Sequence, residues 1–464
     1  MVYKKYMLTS TPFESSLDVY NWISGFINLE KGQSLRSFRL DRMRAMAELA
    51  GHPEQCAPSI HVAGSKGKGS VTGMIAAILE ASGIRTALYT SPHVSDFRER
   101  LSQGKQFFSE DIYTEAGKEL KALVDALPSS PKADLFDPRF EYGEGPSFFE
   151  LMTLWFFLCA RLSGSKAMAV ETGMGGRLDA TNIVDPLVSV ITIIELEHTE
   201  YLGKTIAAIA GEKAGIIKPG KPLVLAEQSD EALEVFTEKA AQNKSELLYF
   251  PRLAEVSDLR VRQEGTYFNL NLKNHFVLSD LFVPIPGEVQ AVNAGLATLA
   301  IKTAFPDIGA EAVRRGLAGF TLPARFERIS LSPLVIIDGA HTKRSMVLSL
   351  KTFTALYGEG GILVFGCVAG KDLLSMAQLC VPCFSRIIIT TPGTFKKSNP
   401  REIYSVFSDE AGKMNPPPEV FFVPDTGEAI DQAMKLAAQY KLPVLGTGSF
   451  YLAAEVRSKL QFTV

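Results

Sequence analysis

Apolar and polar positions alternate in short bursts through the first half of the chain. Ser59–Ala63 (SIHVA) reads as a brief apolar strand, and Val71, Met74, Ile75, Ile78 and Leu79 recur at helical spacing across 70–82. A strand restarts over Arg85–Tyr89, so the segment predicts a β–α–β unit. Lys166–Glu171 and Leu187–Ile194 are further buried-strand candidates. With the helical runs around them they predict a mostly parallel sheet carrying helices on both faces. Near residues 259–281 the pattern changes: RVRQEGTYFNLNL alternates and predicts a hairpin turning at Gly265, an antiparallel excursion from the main sheet. From Leu334 the runs LVIIDG, GILVFG, RIIITT, EVFFVP and PVLGTG follow one another with helical stretches between them. That is the rhythm of an independent doubly wound α/β domain. Leu322-Pro323-Ala324 marks the hinge, which divides the chain into units 1–322 and 323–464. No repeat of solenoid period and no low-complexity tract interrupts the pattern.

Length agrees with this division, since 464 residues exceed any single small binding module. Lys plus Arg number 48 and Asp plus Glu 51, a net charge of −3 that is too balanced to suggest a nucleic-acid or anionic-membrane binder on composition alone. Any anion must then be met by local geometry. Five cysteines, Cys56, Cys159, Cys367, Cys380 and Cys383, are the opposite of a disulfide framework and suit a reducing cytoplasm. Cys380 and Cys383 form a CxxC with no second pair or histidine cluster nearby, and read as incidental thiols. Residues 1–14 lack an apolar core of signal-peptide length. The most apolar run, Leu151–Ala160, is half the length of a membrane span and reads as a buried helix.

Chemistry concentrates at predicted strand ends. Gly64-Ser65-Lys66-Gly67-Lys68-Gly69-Ser70 lies between a strand and a helix. Its glycines let backbone N–H groups converge on an anion, the helix N-terminus adds its dipole, Lys68 supplies charge, and Ser70 is placed to ligate a nucleotide's magnesium. The spacing departs from GxxxxGK[ST], because Gly69 separates Lys68 from Ser70, and a plain Gly-rich turn is the competing reading. Glu171 ends a predicted strand and opens ETGMGGRLDATN, where a carboxylate suits magnesium; a solvated strand-to-loop turn is the alternative. His198 follows another strand end and is favoured as a metal ligand over a structural histidine. Lys213, inside a helical segment, is not singled out by sequence physics. Asp338-Gly339-Ala340-His341 repeats the logic of strand end, carboxylate, glycine and imidazole, with Arg325 upstream. These residues would close over a phosphate bound by the first unit, or would merely cap a strand end.

Taken together, the ordered motifs IHVAGSKGKGS, YTSPH, ETGMGGRLDATN, EHTEYLG, EKAGI, QAVNA, RFERI, DGAH and GSFYLAAEVR resemble the folylpolyglutamate synthase and dihydrofolate synthase family, relatives of the Mur ligases. The resemblance runs from about Leu40 to Leu460. It implies a Mur-ligase-like α/β fold, with a P-loop-containing N-terminal domain and a smaller Rossmann-like C-terminal domain. The implied activity is ATP-dependent amide formation between L-glutamate and a dihydropteroate or reduced folate carboxylate, through an acyl phosphate. On the same footing Gly64 to Ser70, Asn293, Arg325 and Asp338 hold ATP, and Ser70, Ser91, Glu171 and His198 hold Mg2+. A monovalent cation is a further implied ion. Lys213 matches a lysine carbamylated in the family. His341 and Ser449 lie near glutamate, and Lys68, Lys213, Arg325 and His341 form the catalytic set. The segment after His93 is expected to cover the pterin or folate. A cytoplasmic monomer acting on small molecules follows, without nucleic-acid or membrane partners.

Several positions depart from the family pattern. Ser65-Lys66 stand where Thr-Asn is frequent, Ala324 where Gly is usual, Thr342-Lys343 where Asn-Pro is common, and Gly370 where Asp is usual. The Thr342 and Gly370 changes bear most on the glutamate side, because proline constrains the backbone beside His341. Two other readings compete: a Mur-type or other amide ligase acting on a different carboxylate, and a non-catalytic nucleotide-binding regulator. The joint presence of Glu171, His198 and Lys213 argues against the regulator.

Overall fold

The computed structural model describes residues 13–28, 38–137, 144–273, 276–393 and 397–461. Residues 1–12, on which most of the leader-segment reading rests, lie outside them. The first sheet contains β1 (Ser59–Ala63), β2 (Thr86–Tyr89), β3 (Leu101–Gln103), β4 (Ala167–Glu171), β5 (Val188–Ile191), β6 (Leu223–Leu225) and β7 (Leu247–Tyr249). Its order is β3-β2-β4-β1-β5-β6-β7, and only β2–β3 is antiparallel. Ile60 pairs with Ala169 on one side and Val188 on the other, placing the cradle strand at the centre. A central strand is covered on both faces, and all five residues of β1 are buried, the His61 ring meeting Thr181 Oγ1 at 2.8 Å.

Helices cover both faces. Lys68–Ala81 and Val289–Ala304 pack on one, contributing Met74, Ile75, Ala294 and Leu296 to a common core. The Phe148–Leu162 helix packs on the other, with Trp155, Phe156 and Phe157 fully buried. Its interior is the apolar run expected to be a buried helix, and no helix among the described residues is long and apolar enough to cross a membrane.

The alternating segment forms a separate antiparallel sheet of β8 (Ala254–Arg262), β9 (Gly265–Leu272) and β10 (Phe276–Val283). Here the expected turn moves. Gly265 pairs with Arg262 as the first residue of β9, so Gln263 and Glu264 make the two-residue turn.

The third sheet comprises β11 (Glu327–Leu331), β12 (Leu334–Ile337), β13 (Gly361–Phe365), β14 (Phe384–Ile389), β15 (Glu419–Phe422) and β16 (Val444–Thr447). Its order is β11-β12-β16-β13-β14-β15, parallel except at β11–β12. Five of these strands are the five apolar runs; β11, half-exposed on a hairpin, shows no such run. Cys380 is buried and Cys383 half-buried, both as free thiols. Burial pushes both thiols up, which makes them poor nucleophiles.

Candidate active site

The cradle spans the four residues between β1 and the Lys68–Ala81 helix together with the first three of that helix. Gly67 is the N-cap of that helix at φ +91°, and a Cβ there would come within 2.8 Å of Asn293 Oδ1. Glycine thus lets the Asn293 amide, carried on the Val289–Ala304 helix, sit against the loop. Ser65 ties the loop to the chain beyond β5, its N–H donating to Ile193 O at 2.9 Å and its hydroxyl to Glu195 O at 3.1 Å. Lys68 Nζ donates to Gly64 O at 3.0 Å, and Ser70 is buried in the first helical turn.

Behind the loop lies a charge cluster that sequence reasoning resolved only in part. Lys213 is 1% exposed and donates to Gly64 O at 2.8 Å and to Glu197 Oε1 at 3.0 Å. The other oxygen of Glu197 lies 3.7 Å from Lys66 Nζ. Burial works to raise the Glu197 pKa, but Lys68, Lys213 and Lys66 overcome it and hold the carboxyl down to about 2. Burial, then repulsion from Lys68, lowers Lys213 to about 8 against the pull of Glu197. Three ammonium groups on one carboxylate leave positive charge in excess beside the loop, the condition for holding a polyanion. The only sequence signal for Glu197 was its place beside His198 at a strand's C-terminal edge.

Glu171 ends β4, is 3% exposed, and accepts the Ser91 N–H at 3.1 Å. Burial raises its pKa to about 7, opposed by Lys68. His198 is exposed in the cleft at φ +47°, just before the short Thr199–Leu202 helix. Among the described residues no three His, Cys, Asp or Glu side chains gather to hold a metal ion. Hard oxygen donors from Ser70 and Glu171 nevertheless suit magnesium, which takes few protein ligands and fills its shell with water and phosphate.

The second unit faces this wall. Arg325 lies with its guanidinium carbon 4.2 Å from the centre of the Phe450 ring. Asp338, at the end of β12, accepts the N–H of Phe326 and of Ala340, each at 2.8 Å, so it caps the strand end as well as facing the cleft. Burial raises its pKa, and Arg325 with the two amides opposes the rise. His341 Nδ1 donates to Gly339 O at 2.8 Å, which leaves the lone pair on Nε2. Desolvation, then Lys66, drives His341 down to about 3, so the ring is neutral. Ser449 accepts the Leu452 N–H at 3.1 Å and keeps its own proton to donate.

A cavity of about 920 Å³ brings these walls together, lined by Ser65 to Ser70, Ser91, Glu171, His198, Asn293, Arg325, Asp338, His341 and Ser449. Gly64 and Lys213 are not on its surface; they sit behind the loop. Its apolar end is made by Ile27, Phe38, Phe148, Phe149 and Tyr201, with Phe38 and Tyr201 edge to face at 5.7 Å. The segment after His93 was expected here, but residues 93–108 do not line the cavity. Glu99 instead gathers the N–H groups of Val94, Ser95 and Asp96, folding the segment on itself, while Val94 packs against the second unit.

Two family models match parts of the chain. The Mur ligase middle domain matches residues 149–301 and the Mur ligase glutamate ligase domain residues 324–450. Folylpolyglutamate synthase of Lacticaseibacillus casei is 32% identical over 425 residues, 90% of this chain and 94% of that one. Dihydrofolate synthase/folylpolyglutamate synthase of Bacillus subtilis is 30% identical and covers 97% of this chain and 100% of its own. The chain belongs to the folylpolyglutamate synthase/dihydrofolate synthase family. In structure, Mycobacterium tuberculosis folylpolyglutamate synthase complexed with ADP and AMPPCP superposes with a TM-score of 0.83 at 29% identity, covering 95% of this chain and 97% of that one.

As a member of this family the chain is an ATP-dependent ligase, which removes the non-catalytic regulator. Its departures from the family pattern are absorbed locally. Thr342 caps the Lys343–Tyr357 helix, accepting the Ser345 N–H, while Ser345 Oγ accepts the Thr342 and His341 N–H groups at 3.0 and 3.1 Å. This reciprocal cap sets the backbone beside His341 where proline would otherwise stiffen it. Gly370 adopts φ +81°, which a side chain there would strain, and Asp372 two residues on caps the Leu373–Cys380 helix. Ala324 holds φ +53°, and the fully buried methyl packs in the second-unit core.

Proposed function

We propose that the cleft joins the amine of L-glutamate to a folate or pteroate carboxylate, after ATP has converted that carboxylate to an acyl phosphate. One observation carries the reading: Lys66 and Lys68 on the first unit, with Lys213 behind their loop, face Arg325, neutral His341 and Ser449 on the second across a single cavity. A carboxylate is a poor electrophile, so a site that forms an amide from one must hold a phosphoryl donor and an amine on opposite sides of it. Units 1–322 and 323–464 supply those two sides.

The loop N–H groups, Lys66 and Lys68 hold the phosphates, and Asn293 and Asp338 contact the nucleoside. Arg325 meets phosphate charge as it develops. Ser70, Ser91, Glu171 and His198 would hold magnesium, which neutralises phosphate charge when bound; a monovalent cation would assist. Lys213 is the carbamylation candidate, because burial and Lys68 favour the neutral amine that reacts with carbon dioxide. His341 Nε2 accepts a hydrogen bond from the glutamate amine and Ser449 donates to a glutamate carboxylate. The aromatic end receives the pterin or aminobenzoyl rings. Free cysteines support a cytoplasmic enzyme, taken as a monomer acting on small molecules, with no nucleic-acid or membrane partner.

The test is phosphate release from ATP and magnesium with L-glutamate, comparing 7,8-dihydropteroate with tetrahydrofolate and reading product mass. Turnover with the first marks a dihydrofolate synthase, with the second a polyglutamate synthase, and with both a bifunctional enzyme. Turnover with neither overturns the reading in favour of another carboxylate. In 13C-bicarbonate the same protein should show a carbamate carbon that K213A lacks.

A further inference from the structure

The helix Phe450–Gln461 begins at the cleft directly after Ser449, and its first side chain lines the cavity. Three features converge on the Phe450 ring. The Arg325 guanidinium lies over its face at 4.2 Å. The His341 ring lies 5.6 Å away at 60°. The Gly339 backbone passes so close that a Cβ there would stand 2.1 Å from the ring, so glycine is the residue that admits it.

The arrangement settles how Arg325 is held. Among the described residues none of its N–H groups donates to a protein acceptor, and its neighbour Asp338 is engaged by two backbone amides. A guanidinium held by its flat face keeps its edge donors for a ligand, whereas one held by a carboxylate would spend them. The helix is itself anchored one face along, where Arg457 donates to Glu327 at 3.1 Å and to Ser95 of the first unit at 3.2 Å.

We propose that Phe450 is a positioning residue for the ligase reaction, holding Arg325 by its face and His341 by a tilted ring contact so that both point their donors and acceptors at the reacting groups. The inference rests on the ligase reading above. It assigns one ring to both the ATP side and the glutamate side of the site.

The experiment measures the three Michaelis constants, kcat and Tm for the wild type, F450L, F450Y and the pair G339A and G339A/F450L. Wild-type turnover is read first, since its absence sinks the ligase reading and not this one. A desolvated cation–π contact is worth about a factor of ten, so F450L should raise KM for ATP and for L-glutamate roughly tenfold while leaving KM for the folate acceptor unchanged. F450Y, which retains the ring face, should return both constants to within about threefold of wild type. G339A should be severely impaired and G339A/F450L less so, because leucine yields the space the ring denies. F450L kinetics equal to wild type would overturn the proposal. So would equal impairment of F450L and F450Y, or a rise of all three constants together with a fall in Tm.

Discussion

Glu171 shows at the scale of one residue how function opposes stability. Its carboxyl titrates near pH 7 in the folded protein against an ordinary 4.5, because burial outweighs Lys68 and the Ser91 amide. Between those values the folded chain keeps a proton that the unfolded chain releases, so this group's contribution to stability falls as pH rises from 4.5 to 7. Above pH 7 the ionised group is a cost that a bound cation would relieve. Glu171→Gln should therefore raise the Tm of the ligand-free protein at pH 8 by roughly 2 °C or more. The gain should vanish near pH 5, and turnover should fall at least about a hundredfold. Equal Tm for the two proteins at pH 8 would show that the burial cost is already met. Such a residue was legible because strand ends in open α/β sheets present side chains to ligands. Glu197 and Phe450 were not, since a glutamate and a phenylalanine acquire a role only from what the fold packs against them, Lys66 and Lys213 for the one and Arg325 and His341 for the other.

Elements with a strong period are legible close to their ends, although the run Leu187–Ile194 overshoots β5 by three residues. Ser59–Ala63 matches β1 at both ends, and the 70–82 helix starts two residues earlier, at Lys68. Strands β3, β6 and β7 escaped because three residues are too few to display alternation. The Lys343–Tyr357 helix carries the element-scale prediction. Its Thr342–Ser345 cap fixes the turn that carries His341, so Thr342→Ala should cost about 1 kcal/mol of stability, read as a lowered Tm. KM for L-glutamate should rise with it while KM for ATP stays put. A stability loss without that selective rise would mean the cap supports the helix and not the site.

At the scale of the whole molecule, exposed ion pairs among the described residues link the two walls of the cleft. Arg344 meets Glu195 at 3.1 Å and Lys351 meets Glu288 at 2.7 Å, with Arg344 and Lys351 more than half exposed. Exposed pairs contribute about 0–1 kcal/mol each and weaken in salt. The spacing of the units should then be easily shifted. R344A/K351A should leave Tm nearly unchanged and increase the radius of gyration of the ligand-free protein in X-ray scattering, with AMPPCP and magnesium restoring the compact value. An unchanged radius would show that packing, such as Val94 against the second unit, sets the gap.

Period and spacing alone determined that the chain is an α/β protein with a glycine-rich loop at a strand–helix junction and a second doubly wound unit. Those properties are local, because each depends on neighbours within a few residues. The tertiary structure alone decided which charges meet. Lys213 is buried against Gly64 and Glu197 by the packing of helix on sheet, and the apolar end of the cleft is built by Phe148 and Phe149 and not by the segment after His93. Electrostatic and steric complementarity act through space over a few ångströms, between residues that lie apart along the chain, 149 positions for Lys213 and Gly64.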